Sequence, residues 1–256
     1  MKPHRLVIVD IDQTLLDSPY QKLPSRAFVD TVQRIAGHTL VGCATGRAFS
    51  WALPVLRATH FTSPCILGGG ALIVDPQTYK VIESASLPTS SIDAIKSVLT
   101  KYPATNVLFN DYTAEDYLGG GWQLQRLLKS AHCDFIDVVG LTHPIADELI
   151  AQFCSIKNVQ AIKMNGYRDG MVDLLVSHID ANKTQAIKRL QSRLHISIQN
   201  TTGIGNGYND IQLFDAVGTK VAVANAVQEL KESADTVIED VKNDAVARYL
   251  QTLYIV

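Results

Sequence analysis

Two aspartates, Asp10 and Asp12, follow directly on the apolar residues 6–9 in VIVDIDQTLLD. Side chains two positions apart on a strand share a face. Two carboxylates held side by side repel unless a cation or a proton comes between them. Mg²⁺ suits such a hard oxygen site with few protein ligands, and a carboxylate can itself be a nucleophile that forms an aspartyl-phosphate. Two turn-forming aspartates can also finish a solvated strand end, and the spacing alone leaves these readings open.

Three other stretches carry comparable chemistry. ATGR, residues 44–47, combines the Thr45 hydroxyl, a close backbone approach at Gly46 and the bidentate guanidinium of Arg47, all suited to an anion, although an ordinary strand-to-helix cap accounts for the same residues. Lys183, in DANKT, stands at an expected helix start, where a cation opposes the helix dipole. A Lys reaching for phosphate or for a carboxylate explains that conflict, and so does a solvated surface Lys. GIGNGYND, residues 203–210, spaces its glycines G-x-G-x-G and not as the dinucleotide-binding G-x-G-x-x-G. It reads as a tight polar loop presenting Asn206, Asn209 and Asp210. No H-x-x-x-H or G-x-S-x-G occurs, and the seven histidines are scattered, so metalloprotease and α/β-hydrolase chemistry have no support.

These residues need strand ends and helix starts to hold them. Apolar strands are expected over 5–9, 39–43 and 65–67, with helices between them, Pro54 kinking or restarting the second helix. That alternation predicts an α/β, doubly wound parallel sheet. Beyond residue 80 the pattern changes. Helices from Ser91 and over 122–128 and 145–153 mix with short strands over 106–109, 135–139, 159–164 and 171–176, which reads as an inserted α+β unit. The first style returns with an amphipathic helix over 182–194, the glycine loop, a strand over 220–223 and two closing helices. The expected division is a discontinuous core, 1–80 and 178–256, and an insert, 81–177.

The totals narrow the partners. A net charge of −2 over 256 residues offers no basic field for nucleic acid or an anionic membrane. No apolar run approaches the roughly 20 residues of a bilayer span, and none at the start resembles a signal peptide. The four cysteines lack metal-ligand spacing and read as reduced thiols, which points to a cytoplasmic protein. Oligomeric state is not legible.

DxDxT, then TGR, then a Lys at a helix start, then GxGxND, in that order, resembles the haloacid dehalogenase (HAD) superfamily, in its Cof-type branch with a type IIB α/β cap. The likeness is strongest over 6–17, 41–47, 171–190 and 203–248. It implies a Mg²⁺-dependent phosphoric monoester hydrolase acting on a small phosphorylated metabolite. By the resemblance, Asp10 is the nucleophile and Asp12 the general acid and base. Thr45, with Gly46, Arg47 and Asn209, binds the phosphoryl group, and Lys183 balances its charge. Asp10, Asp12, Asn206 and Asp210 are the implied metal ligands, Asp12 through its backbone carbonyl. The chain departs from the family at Asn206, where GDGxND has Asp, at Gly69, where the branch often has Asn, and at Gln13, where Gly is frequent. The loss of charge at 206 keeps in view a weakened relative that binds a phosphorylated ligand, and a phosphomutase stays open because the same aspartyl-phosphate chemistry can return the phosphoryl group to substrate.

Overall fold

The computed structural model describes residues 4–18, 23–118, 123–166, 168 and 170–253. It opens on β1 (Arg5–Val9), whose Leu6, Val7, Ile8 and Val9 are all buried, as in a strand covered on both faces. In α1 (Arg26–Ile35) the cap Ser25 accepts the Phe28 N–H at 3.0 Å, and Phe28, Val32 and Ile35 form the buried face. β2 (Thr39–Cys43) runs parallel to β1, with Val9 opposite Cys43.

α2 (Phe49–Thr59) continues through Pro54 and neither stops nor restarts there. The donor missing at Pro54 would have served the Ser50 carbonyl in the first turn, so a single ladder bond is given up. β3 (Cys65–Leu67) is not a further full strand of the parallel sheet. It touches the end of β2 through the bridge between Ala44 and Ile66. Three glycines then return the chain antiparallel along β4 (Leu72–Val74), and β5 (Val81–Ser84) pairs with β4. This small sheet therefore runs past residue 80, where the sequence placed the start of the insert.

Next come α3 (Thr89–Leu99), β6 (Asn106–Phe109), α4 (Ala114–Leu118), α5 (Leu124–Lys129), β7 (Phe135–Leu141), α6 (His143–Cys154), β8 (Val159–Asn165) and β9 (Val172–His178). The four strands form an antiparallel sheet in the order β6-β7-β9-β8. Its two faces differ. Ile136, Val138, Leu174 and Val176 form a separate core with residues of α3 and α6. The alternate positions, Phe135, Asp137, Asp173 and Leu175, belong to the opposite face, and Phe135 and Leu175 join the main core.

The chain returns through α7 (Lys183–Leu194), β10 (Thr201–Gly205), α8 (Ile211–Phe214), β11 (Thr219–Val223), α9 (Gln228–Ser233), β12 (Thr236–Ile238) and α10 (Ala245–Thr252). The main sheet has the order β12-β11-β10-β1-β2, and each of these pairs is parallel. From β1 the chain steps one way to β2 and later the other way through β10. That reversal makes the carboxyl end of β1 a topological switch point, where doubly wound sheets open a crevice. Among the described residues no helix is long and apolar enough to cross a membrane.

Candidate active site

Asp10 is the first residue beyond β1. Its N–H donates to the Ile204 carbonyl at 2.9 Å, and the Ala44 N–H donates to the Val9 carbonyl at 3.0 Å. The ends of β1, β2 and β10 are thus tied together and open onto one cleft. Asp10, Asp12, Thr45, Arg47, Asn206 and Asn209 line it from the core, and Gly46 joins them.

Lys183 resolves the conflict it posed in the sequence. It is the first residue of α7, 1% exposed, and its Nζ donates to Asp10 Oδ1 at 2.8 Å and to Asp210 Oδ1 at 2.6 Å. The helix start is fixed by Asn182, whose side chain accepts the Gln185 N–H at 2.8 Å. Gly70, at φ 121°, lies so close to the Asn182 backbone that a Cβ there would meet it at 2.3 Å. Burial pushes the Asp10 carboxyl up, Lys183 pulls it back, and Asp210 and Asp12 add to the rise, leaving it at about 7. Burial opposes the Lys183 charge, but the two carboxylates outweigh it and hold the ammonium above its usual range.

Arg47 grips Asp12 from two sides, Nε to Oδ2 at 2.9 Å and Nη2 to Oδ1 at 2.6 Å, while its guanidinium lies 4.7 Å from the Trp51 ring centroid. Its backbone N–H donates to Thr45 Oγ1 at 3.2 Å. The glycine turn clamps this loop, since Gly69 N–H donates to the Thr45 carbonyl and Gly68 N–H to that of Arg47. Gly69 has φ 63°, a conformation that Gly or Asn adopts readily. A Cβ on Gly46 would stand 3.0 Å from the Met164 sulfur of the insert, so glycine there lets the two units meet.

The polar loop 203–210 is held differently from the expectation. Asp210, expected among the metal ligands, is fully buried behind Lys183. Its Oδ2 accepts the N–H groups of Asn206 and Gly207, both at 2.9 Å, and its Oδ1 accepts Lys183. Both oxygens are committed to shaping the loop, and Asp210 does not line the cleft. Asn206 does. Its Oδ1 accepts the Thr14 hydroxyl at 3.0 Å and its Nδ2 faces Gln13 Oε1 at 3.4 Å. Gln13 has φ 59°, which accounts for the glycine frequent there: the turn needs a left-handed residue.

The insert contributes residues that the motif reading missed. Tyr112, Tyr117, Asp137, Met164 and Asn165 close the cleft from above, facing Trp51 of α2. Asp137 is wholly buried and accepts the Tyr112 hydroxyl. Asp173, beside it on β9, accepts the Tyr117 hydroxyl and the Gly140 N–H. The signal was present in FIDVV and MVDLLV, where one carboxylate interrupts each apolar strand. Arg168, in the turn between β8 and β9, is exposed and does not line the cleft. Trp122 and the glycines at 119–121 lie outside the described residues.

Among the described residues no three His, Cys, Asp or Glu side chains converge as a metal cage. A cation beside Asp10 would take mixed oxygens: the Asp10 carboxylate, the Asp12 main-chain carbonyl, the Asn206 amide oxygen and waters. That all-oxygen set fits Mg²⁺, which keeps several waters.

The sequence profile of the haloacid dehalogenase-like hydrolases matches residues 7–119 and 127–250. The chain belongs to that family. It is a hydrolase of the HAD superfamily, in the Cof-type branch, with the α/β core expected from the sequence and an α+β cap whose sheet is antiparallel. The phosphatase YwpJ of Bacillus subtilis is 22% identical over 288 residues, covering 97% of this chain and 99% of that protein. The pyridoxal phosphate phosphatase YbhA of Escherichia coli is 22% identical over 267 residues, covering 96% and 97%. The solved structure of the HAD subclass IIB sugar phosphatase BT4131 superposes with a TM-score of 0.79 at 16% identity, covering 98% and 100%.

Proposed function

We propose that this hydrolase is a Mg²⁺-dependent phosphatase of small phosphorylated metabolites, sugar phosphates or similar, working through an aspartyl-phosphate. The observation that carries the reading is the buried Lys183, which fixes Asp10 Oδ1 at the mouth of β1. Its other oxygen is then the one left to attack phosphorus from the cleft. The Thr45 hydroxyl and the Gly46 amide receive the phosphoryl oxygens, and Asn209 faces them across the cleft. Lys183 offsets charge that builds on the transferring group, the main task in phosphoryl transfer. Asp12 protonates the leaving oxygen and then takes a proton from the water that hydrolyses the phospho-aspartate. Arg47 occupies both Asp12 oxygens, so proton delivery requires the guanidinium to release one, and a phosphoryl group offers it replacement acceptors. Mg²⁺, held by Asp10, the Asp12 carbonyl and Asn206, would neutralise charge between the nucleophile and the phosphoryl group.

Cys43, Cys65 and Cys133 are buried and none of the four cysteines is paired, which supports a cytoplasmic location. One observation favours a second reading, a ligand-binding relative of low turnover. Position 206 offers a neutral amide already engaged by Thr14 and Gln13. A broad phosphoester panel with Mg²⁺ and with chelator decides between them. Mg²⁺-dependent release of phosphate from several esters is expected, and binding without turnover across the panel would favour the second reading.

A further inference from the structure

The two loops that offer oxygens to a cation are braced from behind by a third. Asp12 and Gln13 follow β1, and Asn206 follows β10. Residues 224–227 follow β11 and bond to both loops. Asn225 Nδ2 donates to the Gln13 carbonyl at 2.7 Å. Two residues on, the Val227 N–H donates to the Asn206 carbonyl at 2.9 Å. The brace is itself anchored, because Asn225 Oδ1 accepts the Val241 N–H at 3.1 Å and the Ala224 N–H donates to the Glu239 carbonyl at 3.3 Å. Gln13 calls for such a hold. Its φ of 59° is a conformation that a residue other than glycine keeps only where its surroundings fix it. Its N–H, in the same rigid peptide plane as the Asp12 carbonyl, donates to the Leu16 carbonyl at 2.7 Å. Asn225 fixes the next plane, so the two bonds together set where the Asp12 carbonyl points.

We propose that Asn225 is a positioning residue for the cation site, setting the Asp12 carbonyl against Asn206 and so the affinity for Mg²⁺. Asn225 does not line the cleft and acts through the two loops. Mg²⁺ demands near-ideal octahedral geometry, so a displaced oxygen costs affinity. The need is greater because Asn206 brings a neutral amide, already engaged by Thr14 and Gln13, and no charge to hold the cation at longer range. Groups behind a metal's ligands contribute on the order of 10–100-fold to its affinity.

The inference rests on the reading of a Mg²⁺-dependent phosphatase, and its test separates the two. Mg²⁺ binding is measured by calorimetry, and turnover of an aryl phosphate by steady-state kinetics, for wild type, Asn225→Ala and Val246→Ala. Val246 is buried on α10, so its truncation lowers stability without removing a bond to either loop. Asn225→Ala should raise the Kd for Mg²⁺ by about 10-fold. Its KM for the ester at saturating Mg²⁺ should stay near the wild-type value, and Val246→Ala should leave the Kd unchanged. Should Asn225→Ala not fold, Asn225→Asp carries the test. It keeps an acceptor for the Val241 N–H and loses the donor to Gln13. Its added negative charge favours a cation, so a raised Kd there reports the lost bond. An unchanged Kd in the folded variant, or an equal rise in Val246→Ala, would overturn the positioning role even with Mg²⁺-dependent turnover intact in wild type. Mg²⁺ binding that weakens in the variant, with no turnover by wild type, would keep the positioning role and sink the phosphatase reading. No Mg²⁺ binding by wild type would overturn both.

Discussion

Arg47 holds both carboxylate oxygens of Asp12, at 2.9 and 2.6 Å, while stacking 4.7 Å from the ring centroid of Trp51. The fork reaches both oxygens at once, and a Lys ammonium cannot reproduce that contact or the stacking. Arg47→Lys is therefore expected to lower kcat/KM by roughly 100-fold, the scale of losing an oriented charge at a reacting centre. Steady-state kinetics on an aryl phosphate checks this, and near-wild-type activity in Arg47→Lys would leave Arg47 outside the chemistry.

Lys183 is a structural cation as well as a candidate catalytic one. Removing it strands Asp10 and Asp210, both buried, beside each other. Lys183→Met should destabilise the fold by about 3–5 kcal/mol, the usual cost of an uncompensated buried charge. The double variant Lys183→Met/Asp210→Asn should recover part of that loss. Urea unfolding measures both, and a Lys183→Met protein as stable as wild type would contradict the ion-pair geometry.

At position 206 an added charge should tighten Mg²⁺. Asn206→Asp is expected to lower the Mg²⁺ midpoint of activity on the order of 10-fold, as changes at or beside metal ligands do. An unchanged titration would place residue 206 away from the metal.

The cap carries its own pH signature. Burial raises the Asp173 carboxyl from 3.8 to about 6, although Tyr117 and the Gly140 N–H donate to it. Between those values the folded protein binds more protons than the unfolded chain at this site. Stability therefore falls as pH rises from about 4 to about 6. Asp137, on the neighbouring strand, is raised by burial and by Asp173 and acts in the same direction. Asp173→Asn removes one titrating group, so its gain in Tm over wild type should grow from pH 4 to pH 7. A gain of the same size at every pH would mean that Asp173 does not titrate in this window.

Much of the core was legible because its signals are local. The apolar runs of β1 and β2 bound those strands within the expected residues, and the ill-placed charge of Lys183 marked a site. What escaped depends on distance in space. Cys65–Leu67 has a strand's composition and the three glycines after it read as a turn back along a further strand, but only the fold shows that it meets β2 through the bridge of Ala44 and Ile66 and does not extend the parallel sheet. β12, three residues long and mostly exposed, carries too short a pattern to stand out. Asp210 sits in the same motif as Asn206, yet its oxygens turn inward to Lys183 and two backbone amides, which spacing cannot reveal. Asp137 and Asp173 were visible as charges inside apolar strands. Assigning Asp137 to the cleft needed the register that sets it, with Asp173, on the sheet face opposite the insert's own core.

The most direct measurement is phosphate release from an aryl phosphate by wild type and Asp10→Asn, each with Mg²⁺ and with chelator. Wild type should release phosphate only with Mg²⁺, and Asp10→Asn should release none above background. Equal activity of the two proteins would contradict Asp10 as the nucleophile.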